Sequence, residues 1–233
     1  MKSIFLKEIK NYFSTLTGYI FLAIFVMASG VVFTTGNLLS QNSDIKHFFS
    51  VFFTILLFLI PMLTMRQFSE ELKMKTLQLL FTLPLNLRSI VLGKYFATMV
   101  VVGIGLVFTL IFPIILAFYG SFQLMVILGN YLGLVLLISS FVSIGLFISS
   151  LTENQIISSI VSYAVILGFW MVDAITPFLL NTYLSDIVNR FSLRINFIEF
   201  TYGILNPGSV LYYLSVTAVF LLLTAVSLDS RRA

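Results

Sequence analysis

YFATMVVVGIGLVFTLIFPIILAFYGSFQLMVILGNYLGLVLLISSFVSIGLFISSLT, from Tyr95 to Thr152, contains no Asp, Glu, Lys or Arg. A membrane-crossing helix needs about 20 apolar residues at 1.5 Å each. The stretch is too long for one crossing, and Phe118-Tyr119-Gly120-Ser121 interrupts it, so it holds two. Backbone groups cannot stay unpaired in lipid, so both crossings are helices. A β-barrel would show segments of about ten residues with alternating polarity, and no such alternation occurs here.

Working outward, uncharged runs also extend over Asn11–Ser43, Phe48–Met65, Asn154–Val172 and Phe200–Leu228. The reading is therefore an all-α polytopic membrane protein forming a single transmembrane domain over 1–233. Its six spans are expected at about 18–36, 47–66, 95–118, 124–149, 155–176 and 209–228. Composition agrees: 59% of the 233 residues are hydrophobic and only 9% charged, against about 25% charged in soluble domains. This excludes an ordinary cytosolic enzyme and a disordered regulator. With no cysteine, disulfides and thiolate metal sites are excluded.

Lys and Arg set orientation. Ten of the thirteen fall in the N-terminal segment, the second-to-third connection and the tail, on the side shared by both termini. Lys46, Arg190 and Arg194 fall opposite. Both termini are expected in the cytoplasm, with the chain multi-pass in the cell membrane. The first span is too long for a cleaved signal core, and Glu8 interrupts its basic flank, so it is read as retained. The charge excess is placed for topology and lipid, and no nucleic-acid partner is expected.

Residues 2–16 place Phe5, Ile9, Tyr12, Phe13 and Leu16 on one helical face and Lys7, Lys10, Asn11 and Ser14 on the other. This reads as an interfacial amphipathic helix facing membrane lipid, or more simply as a positive flank. Residues 66–94 form the longest connection on the basic side. Ser69 is a candidate helix cap, and Pro84 a breaker. Its leucines must meet lipid, another span or a soluble partner. The segment 177–208 is expected as one or two short helices at the outer interface.

Chemistry is sparse. Gly93-Lys94 is followed by Tyr95 and has Arg88 where a phosphate loop needs glycine. The one histidine, His47, stands at a span edge without companion ligands. Neither a zinc-peptidase nor a serine-nucleophile motif occurs. Asp173, near the outer end of the fifth span, is an interfacial or structural carboxylate or part of a transport path. The small residues Gly129, Gly133, Gly145, Ser139, Ser140 and Ser143 suit close helix packing.

The stretch Glu70-Glu71 through Thr76-Leu77-Gln78-Leu79-Leu80-Phe81-Thr82-Leu83-Pro84, with Ile90-Val91-Leu92-Gly93-Lys94-Tyr95, resembles the membrane subunits of type-2 ATP-binding-cassette exporters, the ABC-2 permeases. Gly145–Gln155, Val210–Ser215 and Ser227–Arg232 extend the likeness to the six-span branch containing gliding-motility and nitrous-oxide-reductase maturation permeases. Lys75 and Gln78 stand where that family often has glycine and an acidic residue. The resemblance implies a non-catalytic subunit that pairs with a second permease as a homo- or heterodimer. It implies docking on separate cytoplasmic ATPase subunits, which carry ATP and magnesium, leaving no cofactor on this chain. Residues 2–16 become an elbow helix, 66–94 a coupling segment and 177–208 outer re-entrant helices. Glu70, Glu71, Lys73, Thr76, Leu77, Leu80 and Thr82 are expected at the ATPase contact, and Glu153 at a second, smaller one. The rival readings are an ATP-independent secondary transporter, with Asp173 in its path, and a membrane scaffold recruiting partners through 66–94.

Overall fold

The computed structural model describes residues 2–41, 44–76, 86–118, 124–178 and 188–231. Among them every regular element is helical. They are α1 (Lys2–Ser14), α2 (Leu16–Phe33, extended by a π turn over Thr34–Leu38), α3 (Ile45–Thr64), α4 (Arg66–Lys73), α5 (Leu87–Thr109), α6 (Ile111–Ala117), α7 (Leu124–Leu151), α8 (Gln155–Met171, extended by a 3₁₀ helix over Val172–Phe178), α9 (Leu193–Thr201) and α10 (Pro207–Asp229).

Six helical stretches are long and apolar enough to cross a membrane: Leu16–Leu38, Ile45–Lys73, Leu87–Ala117, Leu124–Leu151, Gln155–Ala174 and Pro207–Asp229. The chain is a multi-pass membrane protein. Two spans outrun their expected limits for the same reason. Expected boundaries stop at charged residues, yet the second span runs through Arg66 to Lys73, and the third starts at Leu87, before Lys94. Of those charges, Glu71 and Lys94 pair with each other in the interior, Arg66 and Glu70 pair at the surface, and Lys73 and Arg88 are exposed. Pro113 explains the break between α5 and α6: its ring cannot donate to the Thr109 carbonyl and clashes with it.

The fourth span is the axis of the bundle, with 78% of its apolar window buried, against 17% for the fifth and 22% for the sixth. Its interior face is lined with small hydroxyls, as membrane helix contacts favour. The Tyr95 hydroxyl from α5 meets Ser139 Oγ at 2.6 Å, and Ser139 meets Thr217 Oγ1 from α10 at 2.9 Å. Ser140 Oγ donates to the Tyr213 carbonyl at 3.1 Å. On the other flank α3 supplies Phe48, Phe49, Phe52 and Phe53, all buried. Phe52 meets Phe25 of α2 edge-on at 5.2 Å, and Phe53 meets Phe197 of α9 at 5.0 Å.

α9 is tucked into the end of the bundle remote from α4. Ser192 caps it by accepting from Ile195 N–H at 3.3 Å, and Leu193, Phe197 and Phe200 are buried. Glu199 accepts from Ser209 Oγ at 2.5 Å and from Asn206 Nδ2 at 3.2 Å, tying α9 to the start of α10. This is one short helix of the expected outer segment; 179–187 lie outside the described residues.

α3 reaches α7 because Gly145 has no side chain. A Cβ there would lie 2.8 Å from Thr64 Cβ, and Thr64 is fixed by its hydroxyl bond to the Ile60 carbonyl at 3.1 Å. Gly145→Ala should therefore destabilise the bundle by about 1–3 kcal/mol, as overpacking does. A thermal-unfolding midpoint in detergent unchanged from the parent would contradict this contact.

Candidate functional site

The polar chemistry of the chain gathers where α1, α4 and α5 meet. α1 packs against the bundle. It buries Ile4, Glu8 and Tyr12, one residue per turn, while Phe5, Ile9 and Phe13 are half-buried. The packed face thus keeps the expected Phe5, Ile9, Tyr12 and Phe13 and adds Ile4 and Glu8 as its deepest members with Tyr12. α1 comes close to α5 at Gly93, where a Cβ would lie 2.9 Å from Ile4 Cγ2.

Lys94, 2% exposed, fills this junction. Its ammonium donates to Glu8 Oε1 at 3.2 Å, Glu71 Oε1 at 2.9 Å and the Gln67 carbonyl at 2.9 Å. An ammonium has three donors, and all three are used. The cation also stands 5.2 Å from the Phe68 ring centroid. A parallel relay of hydroxyls surrounds it. Gln67 Nε2 donates to the Tyr12 hydroxyl, Tyr12 meets Thr98 Oγ1 at 3.0 Å, and Thr98 donates to the Lys94 carbonyl at 2.9 Å. Burial pushes the Tyr12 phenol well above its usual range, so it remains a neutral link in this relay.

α4 is fixed from a second side. Ser69, expected as its cap, lies inside the helix and bonds back to the Met65 carbonyl. The cap comes from another span: Ser149 Oγ of α7 accepts from Phe68 N–H at 2.9 Å and Ser69 N–H at 3.1 Å. These are amides that the first helical turn cannot satisfy itself. Arg66 adds bonds to Thr17 Oγ1 at 2.9 Å, at the start of α2, and to Gln155 Oε1 at 3.3 Å, at the start of α8. Arg231 closes the last turn of α7 by donating to the Leu151 carbonyl at 2.8 Å.

The expected contact residues therefore divide. Glu71 turns inward to Lys94, with its side chain 17% exposed. Glu70 is 44% exposed and lies 3.6 Å from the Arg66 guanidinium, a surface pair of small energetic weight. Lys73 and Glu153 are exposed, and Thr76 is half-buried with its hydroxyl 3.4 Å from the Glu71 carbonyl. Leu77, Leu80 and Thr82 lie outside the described residues. Asp173 is far along the chain's other end, paired with Arg194 at 3.0 Å, and Arg194 in turn lies over Trp170. Sequence reasoning missed Lys94 and Glu8 as partners. The available signal was an acid on the same helical stripe as Ile4 and Tyr12.

Between α1, α4 and the start of α2 lies a cavity of about 470 Å³ that reaches Glu8, Gln67, Glu70, Glu71 and Lys94. Two of the residues that line it, Gln67 and Glu71, each keep one buried side-chain oxygen, Oε1 and Oε2, without a donor among the described residues. Among the described residues no cluster of three or more His, Cys, Asp or Glu could hold a metal ion.

Lys94→Met removes the one cation from between two carboxylates and should cost about 3–5 kcal/mol, the penalty for stranding buried charge. Adding Glu8→Gln should recover part of that loss; additive effects of the two substitutions on the unfolding midpoint would contradict direct coupling. Lys75, the residue after the α4 cap, has φ 55°, the left-handed position where helices end most readily on glycine. Lys75→Gly should therefore raise stability by about 0.5–1 kcal/mol, read from the same midpoint. No protein-family model matches the chain and no curated protein aligns with it significantly.

Proposed function

We propose that this chain is the membrane-spanning subunit of an ATP-driven exporter of the ABC-2 kind, pairing with a second permease and docking through α4 and the segment after it on separate cytoplasmic ATPase subunits. The observation that carries the reading is the anchoring of α4. It extends the second span beyond its apolar part and is held to α1 and α5 through Lys94, to α7 through Ser149 and to α2 and α8 through Arg66. A force applied at α4 would reach five other helices through buried or geometrically defined bonds. That suits an element which passes a partner's nucleotide-driven motion to a two-state membrane dimer. The left-handed Lys75 adds support, since it occupies the place where the resembled family often has glycine.

In this reading Glu70, Lys73 and Glu153, all solvent-facing, meet the ATPase, and Glu71 acts from within by holding Lys94. The side bearing most Lys and Arg is cytoplasmic. ATP and magnesium reside on the partner, and this chain supplies no catalytic group. Asp173, bound to Arg194, is kept as a transport-path candidate for the rival reading of an ATP-independent transporter.

The test is affinity purification from membranes in mild detergent, with partner identification and an ATPase assay. A stoichiometric ATP-binding subunit is expected, and the Glu70→Lys, Glu153→Lys double variant should lower its recovery by about tenfold, as loss of two charged contacts would. A chain that purifies alone under several detergents, or full recovery of the partner with the double variant, would refute this assignment.

A further inference from the structure

We infer that the junction of α1, α2 and α4 is a binding site for an aminophospholipid of the surrounding bilayer. This goes beyond the exporter reading and does not depend on it. Beside the polar cavity, between α2 and α3, runs a second hollow of about 190 Å³ lined by Ile20, Ile24, Leu59 and Met62. The two share Leu16, Thr17, Leu63 and Arg66 as a common rim. The apolar hollow opens sideways, since Ile20 is 48% and Met62 47% exposed on faces that a bilayer would cover. It starts at Leu16, where the first span begins. A continuous site thus runs from headgroup level into acyl-chain level, with its polarity changing in the same sense as the bilayer's.

The polar half selects the headgroup. Glu8, Glu70 and Glu71 face it against Arg66 and Lys94, leaving one net negative charge. Lys94 has already given all three of its protons to protein acceptors. Gln67, only 7% exposed, spends its carbonyl on that ammonium. Among the described residues the cavity therefore carries one uncompensated negative charge, and the half-exposed Glu70 carboxylate on its wall keeps lone pairs beyond its contact with Arg66; a primary ammonium meets both with charge and N–H donors, a trimethylammonium with charge alone. Arg66, on the shared rim, stands where the lipid phosphate would lie between ammonium and acyl chain, and a guanidinium matches that group. The apolar hollow takes part of one chain.

The experiment uses the full-length chain in mild detergent, equilibrated with equal amounts of phosphatidylethanolamine, phosphatidylcholine and phosphatidylglycerol of matched acyl chains. Retained lipid is quantified by native mass spectrometry. Phosphatidylethanolamine should exceed each of the others by about tenfold, the scale of one charge-assisted hydrogen bond. Glu70→Gln should reduce that preference several-fold, because it removes the net charge without adding bulk. Ile20→Trp should fill the apolar hollow and lower retention, whereas Val219→Trp, exposed on α10, should bind as the parent does. Equal retention of the ethanolamine and choline lipids would show that the site does not recognise the ammonium and would overturn the proposal. Undiminished phosphatidylethanolamine retention by both Glu70→Gln and Ile20→Trp would overturn it equally. Because the readout is lipid on the isolated chain, its failure is separable from failure of the ATPase test.

Discussion

A lysine ammonium placed a quarter of the way along an apolar helix has to find compensation, and most of the basic end of this protein is arranged around that need. Moving such a charge away from water costs several kcal/mol unless good acceptors replace its hydration. Lys94 finds them on two different helices, Glu8 on α1 and both Glu71 and the Gln67 carbonyl on α4. The same three bonds define where α1 lies, how α4 leaves the second span, and the shape of the cavity between them. Remove the ammonium and no other described bond ties α1 and α4 through opposite charges.

Around that node the protein separates two kinds of cohesion. Inside the spans, hydroxyls and phenyl rings hold α3, α5, α7, α9 and α10 together, as expected where lipid offers no hydrophobic reward for helix association. At the basic end, charged and amide groups do the joining. Ser149 belongs to both, since it sits on the central helix and supplies the cap for α4. Motion of α4 is thus referred directly to the least exposed helix of the bundle, whereas α8 and α10 show most of their surface to the surroundings.

Much of this was legible in one dimension. The six spans and the common side of their basic connections follow from where charged residues interrupt apolar runs. What the runs concealed was that a charge can belong to the interior. Lys94 reads as a loop residue and Glu8 as an interruption of a basic flank, because each looks anomalous alone and only their juxtaposition neutralises both. The face of α1 was legible only in part: Phe5, Ile9, Tyr12 and Phe13 do pack against the core, but Ile4 and the charged Glu8, which no apolar scale selects, are buried more deeply than Phe5, Ile9 and Phe13. Ser69 has the chemistry of a cap, but the amides of α4 are met by a serine remote in sequence, which no local pattern reveals.

The pairing of Glu8 with Lys94 also imposes an order on biogenesis. The two are 86 residues apart, so at roughly 5–20 residues per second of synthesis about 4–17 s pass between their appearances. Throughout that interval α1 lacks the ammonium it docks on, while the first two of the six spans are made. α1 therefore takes its place only once the third span has been made, and that span carries in the charge that fixes it.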